Sequence, residues 1–98
     1  MNSIGHRLEQ YSLRHPQEVL IVAAEINGEP DQITIFKGFS SSLMRPTAFD
    51  PDVPVLPETA QIFSIDRLQA PYSPDQPSYI QQGLTLSEMQ DLLRQTGV

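Results

Sequence analysis

The sequence predicts an α+β fold: a small antiparallel sheet of three to four strands, flanked by an N-terminal and a C-terminal helix. Three observations carry the expectation. Residues 18–27 (EVLIVAAEIN) are apolar at both strand parities. Residues 84–97 combine a helix-capping pattern with an apolar stripe. Seven of the nine prolines fall between residues 46 and 77, which leaves the remainder of the chain free for regular structure.

The first helix is expected over residues 3–15. Ser3 is suited to accept from the first free backbone N–H groups. Ile4, Leu8 and Tyr11 recur at the spacing of one helix face. Pro16 restricts His15 to extended geometry and stops the helix, although Gly5 weakens its first turn. In residues 18–27, Leu20, Val22, Ala24 and Ile26 share one face, and Val19, Ile21 and Ala23 share the other. A strand apolar on both faces is ordinarily covered on both, so this one is placed centrally. Asn27-Gly28 is a hairpin signal. Pro30 and Asp31 suggest a loop of about four residues. The partner strand is expected over residues 32–39, with Ile33 and Ile35 on one face and Gly38 marking a bulge or an end.

Residues 40–58 carry four prolines and read as a long irregular loop. Loops of this length are usually functional or disordered. Leu43, Met44, Phe49, Val53, Val55 and Leu56 make this one too apolar for a free linker. A third strand follows over residues 59–68, its alternation putting Gln61, Phe63, Ile65 and Arg67 on one face. Residues 70–77 form a second proline-rich connection, and residues 79–82 suit a short strand or a helical turn. At the C-terminal helix Thr85 and Glu88 form a capping box, and Leu84 and Met89 occupy the hydrophobic-staple positions. Leu86, Met89, Leu92 and Leu93 make its apolar stripe, and Gly97 suits the residue just past its end. A partly closed barrel with a helical lid is the rival architecture.

The 98 residues fit a single domain, 1–98, with a thin core that leaves little room for an enclosed cofactor; no cofactor is expected. Zero cysteines remove disulfides, thiolate metal sites and cysteine nucleophiles. The net charge of −6 and six scattered cations (Arg7, Arg14, Lys37, Arg45, Arg67, Arg94) count against nucleic acid as a partner. The longest apolar run, Val19–Ala24, is far short of a bilayer span, and the first residues lack a secretory pattern.

Catalytic and metal-binding constellations are equally thin. His6 and His15 would lie on opposite sides of one helix. Ser40-Ser41-Ser42 lacks the elbow of a nucleophilic serine. The pairs Glu29/Asp31 and Asp50/Asp52 sit beside prolines, where aspartate usually bonds its own backbone. No catalytic or metal-ligating residue is assigned. The stretch from Lys37 to Thr47 is the most unusual. It mixes hydroxyls, two cations and apolar side chains just after a strand, where binding residues tend to sit. Two uses are open. One is docking of a protein partner through residues 39–57, with Phe39, Leu43, Met44, Arg45 and Phe49 in contact. The other is anion or small-molecule binding by Lys37, Ser40, Ser41, Ser42 and Arg45. An enzyme is the weakest of the readings.

The segments EVLIVAAEINGEPDQITIFKGFSSSL, PVLPETAQIFSIDRLQAPYSP and YIQQGLTLSEMQDLL resemble a small uncharacterised family shared by cyanobacteria and plant chloroplasts, with IFKGFSSSL the most specific part. The resemblance spans residues 18–93. It implies an oxygenic phototroph and a cytoplasmic, stroma-like location, or peripheral attachment to thylakoids. It implies no activity and carries over no residue.

Overall fold

The computed structural model describes residues 3–43, 55–57, 59–73 and 75–98. Two helices flank a five-stranded antiparallel sheet, in the order α1 (Ile4–Arg14), β1 (Glu18–Ile26), β2 (Glu29–Phe36), β3 (Phe39–Ser42), β4 (Gln61–Gln69), β5 (Tyr79–Leu84) and α2 (Leu86–Thr96). The strand order is β3-β2-β1-β4-β5, and the sheet is open rather than barrel-like. Its centre is β1, as its two-sided apolar pattern requires.

One outer strand, β3, goes beyond the expected arrangement, while the other, β5, takes the short-strand option read for residues 79–82 and extends it to Leu84. Residues 39–42, expected partly as the end of β2 and partly as loop, turn back at Lys37-Gly38 and form β3. Both turn residues have positive φ, 49° and 84°. The Asn27-Gly28 loop is also tighter than expected. Its φ values are 54° and 81°, and Ile26 pairs directly with Glu29. Pro30 tolerates this because the pair after the closing pair of a two-residue hairpin is not hydrogen-bonded, so the missing N–H faces away from β1. Both turns thus have the mirror-image geometry that matches strand twist.

Local signals hold well at the helices. The Ser3 hydroxyl accepts from the His6 N–H at 3.1 Å. The Thr85 hydroxyl accepts from the Glu88 N–H at 3.1 Å, and the Glu88 carboxylate accepts from the Thr85 N–H at 3.0 Å. That backbone bond holds the Glu88 carboxyl below its ordinary range. Gly97 closes α2 in the left-handed region.

Both helices cover the same side of the sheet. Leu8 and Tyr11 of α1 and Met89 and Leu93 of α2 join Leu20, Val22, Ala24, Ile26, Ile33, Ile35 and Ile65 in one buried core. The two helices are also tied together. Arg7 donates to the Val98 carbonyl at 3.1 Å, and Arg14 to the Thr96 carbonyl at 2.6 Å, so cations meet the carbonyl end of α2. Coverage by structure on both faces of β1 was the expectation; among the described residues no helix lies on the second face.

Candidate interaction face

Strand parity defines the helix-free face. On β1 it carries Val19, Ile21, Ala23 and Glu25. On β2 it carries Pro30, Gln32, Thr34 and Phe36, and on β3 Phe39 and Ser41. Phe36 and Phe39 are paired across β2–β3, and Val19 pairs with Leu68, which pairs with Tyr79. The row Phe39, Phe36, Val19, Leu68 and Tyr79 therefore crosses all five strands. Its middle is buried and its ends are open, with Phe39 78% exposed. Leu43, held to β2 by its N–H bond to the Gln32 carbonyl, is 49% exposed. Thr34, mid-face, has a buried hydroxyl oxygen with no hydrogen-bond partner among the described residues.

An irregularity in β4 adds a further aromatic. Ala23 pairs with Ser64 and Ala24 with Ile62, so the register shifts and Phe63 is the extra residue of a bulge. Strict alternation put Phe63 and Ile65 on one face. With the bulge, Ile62 and Ile65 both serve the core, and Phe63 is released to solvent, 54% exposed. Phe63 borders an open depression of about 340 Å³, lined with Ala23, Ala24, Pro30, Asp31 and Gln32.

Of the candidate anion residues, the described ones point different ways. The Ser40 and Ser42 hydroxyls turn toward the helix side, donating to Glu9 at 2.7 Å and to both Asp31 oxygens at 2.8 and 2.9 Å. Ser41 has the opposite parity and is exposed. The Lys37 ammonium lies 5.2 Å from the Phe36 ring centroid, within reach of its negative face. Met44, Arg45 and Phe49 lie outside the described residues, as do Asp50 and Asp52. Asp31, read as a turn residue, stands within β2 and is buried; besides Ser42 it accepts from the Gln32 N–H.

A buried polar network lies on the helix side and was not anticipated. The Tyr11 hydroxyl donates to Glu18 Oε1 at 2.9 Å, and Arg67 donates to the same oxygen through Nε at 2.9 Å. Burial, then the bond to Glu18, pushes the Tyr11 phenol up to about 12. The bond to Glu18 holds the Arg67 guanidinium above its ordinary range. His15, at the end of α1, stacks on the Tyr11 ring at 4.2 Å and contacts the Tyr11 carbonyl through Nδ1 at 3.0 Å. This network closes the α1–β1–β4 junction. Among the described residues no three histidine or carboxylate side chains come together as a metal site. No helix there is long and apolar enough to cross a membrane.

The architecture defines a small α+β domain: an open antiparallel sheet, two helices on one side, and an aromatic-rich second side. Residues 5–93 match the model of a domain of unknown function, DUF7734, and the chain belongs to that family. No curated protein and no solved structure matches it.

Proposed function

We propose that the protein is a non-enzymatic interaction or assembly module that docks a protein partner on the helix-free face of its sheet. The observation that carries the reading is Phe39, 78% exposed at the edge of a face that also holds Phe36, Leu43 and Phe63. Isolated exposed apolar residues are ordinary, but several on one sheet face are typical of a contact surface. Aromatic side chains each offer about 150–250 Å² to a partner. Phe39 and Leu43 belong to the partner-binding set read from the sequence; Met44, Arg45 and Phe49 complete that set on the chain beyond β3. The resemblance to a cyanobacterial and chloroplast family supports a location in the cytosol or stroma of an oxygenic phototroph, free or at the thylakoid surface.

Anion or small-molecule binding through Lys37, Ser40, Ser41, Ser42 and Arg45 draws less support. Two of the hydroxyls already serve carboxylates, which repel an anion. Affinity capture from native phototroph extract, comparing the wild type with a Phe39→Asp/Leu43→Asp variant of unchanged circular dichroism, tests the reading. The variant should lose co-purifying proteins. Identical captures would overturn the docking reading, and a bound metabolite in native mass spectrometry would favour the alternative.

A further inference from the structure

The partner's chemistry follows from where the charges lie. The depression beside Phe63 is floored by Ala23, with Pro30 and Gln32 on its far side. Its surroundings are acidic. Glu25 shares the parity of Ala23, two positions along β1, and stands opposite Pro30 and Gln61. Asp66 shares the same face, opposite Ile21, its Oδ1 accepting from the Gly83 N–H at 2.8 Å, and Asp31 lines the depression itself. The described cations lie elsewhere. Arg7 and Arg14 hold the carbonyl end of α2, Arg94 pairs with Asp91, and Arg67 pairs with Glu18 on the helix side. Lys37 sits at the opposite end of β2.

We infer that this depression receives one apolar side chain of a partner polypeptide whose flanking residues are Lys or Arg. The anchor sits between Phe63, Ala23 and Pro30, and the flanking cations meet Glu25 and Asp66. A second copy of this chain is disfavoured, because facing copies would bring acidic rims together, and like charges across an interface are costly. An anionic lipid surface or a nucleic acid is disfavoured for the same reason. The inference rests on the interaction-module reading and deepens it by naming the partner's chemistry.

The probe is a synthetic lysine-rich peptide with one central phenylalanine, titrated into the intact 15N-labelled protein. Saturable shifts are expected at Ala23, Gln32, Phe63 and Ser64, and added salt should weaken them. Phe63→Ala should weaken binding about tenfold or more. Glu25→Gln, which leaves the apolar wall intact, should weaken it about threefold. A peptide with serine at the anchor, or with glutamate flanks, should not bind. Any of four results would overturn the inference: no saturable shift at about 1 mM peptide, shifts confined to the helix side, equal binding of the acidic peptide, or self-association through this face. Contacts from residues 44–54 to Phe63 in the free protein would overturn it as well. Shifts at Phe39 and Leu43 without Phe63 would remove the depression as the anchor site and leave the docking face standing. Extract capture indifferent to Phe39 and Leu43 would instead remove the module reading.

Discussion

Alkaline titration of Tyr11 offers the sharpest check on the packing at the α1–β1–β4 junction. Its ring is 1% exposed and its hydroxyl donates to a carboxylate. Burial and that bond raise its pKa from 10.0 to about 12. At about 1.36 kcal/mol per tenfold, the folded state favours the neutral phenol by roughly 3 kcal/mol. The folded value lies above the unfolded one, so this contribution is fully present below pH 10, falls away as pH rises from about 10 to about 12, and is gone beyond. Tyr11→Phe removes the ionisation together with the hydrogen bond. At neutral pH the variant should be about 1.5–3 kcal/mol less stable, the usual worth of a bond to a charged group. Between pH 10 and 12 the wild type should then lose roughly 3 kcal/mol relative to the variant, so that the two curves converge. Urea denaturation at a series of pH values measures the difference, and tyrosinate absorbance identifies the ring that ionises at the highest pH by its loss in the variant. If all three tyrosines ionised near the ordinary value, or the stability difference stayed constant with pH, the assignment of a buried, carboxylate-bonded phenol would be refuted.

Two further perturbations probe the same framework. Arg67→Met leaves the Glu18 carboxylate, 6% exposed, without its cation. It should cost about 3 kcal/mol or more by urea denaturation, and adding Glu18→Gln should recover most of that; a double variant as unstable as the single would contradict the pairing. Gly28 and Gly38 both have φ above +80°, so alanine at either costs about 1–2 kcal/mol of backbone strain. A Cβ at Gly38 also meets Leu13 of α1 at 2.9 Å, whereas one at Gly28 meets nothing within 4 Å. Gly38→Ala should therefore lower the thermal midpoint more than Gly28→Ala by the cost of displacing the Leu13 side chain, which is 53% exposed, and equal losses would show that Leu13 swings aside freely.

Local chemistry was legible wherever the interaction is short-range. The capping box of Thr85 and Glu88, the stop at His15-Pro16 and the left-handed Gly97 depend on residues within one helical turn, and each stands as read. The centrality of β1 was also readable from its two-parity apolar run, although its second face is only partly buried. Lys37-Gly38 was harder. A two-residue turn there needs positive φ at a lysine, which no composition rule favours, and it is held by a bond from the Gly38 N–H to the Ser12 hydroxyl at 2.8 Å, 26 positions away in sequence. Gly5, a weakness in the first helical turn, has a reason that only packing shows: a Cβ there would lie 3.0 Å from the Leu56 carbonyl oxygen.

Of the candidate site, Phe39 and Leu43 are exposed, but the face they belong to could not be drawn from composition. Phe63 was assigned to the face of Ile65 because alternation has period two, and one bulge residue reverses every assignment before it. The serine run looked like one hydroxyl cluster. A strand sends its neighbours to opposite sides, so two of the three serve Glu9 and Asp31 and the third does not. The pairing of Glu18 with Arg67 joins residues 49 positions apart, a separation at which charge pattern carries no signal. Helix ends, the central strand and the α+β class were written in the chain, because capping, periodicity and proline geometry act over a few residues. Which face both helices would cover, which aromatics would remain outside and which charges would be neutralised were decided by strand order and register, since these depend on contacts that exist only once distant segments meet.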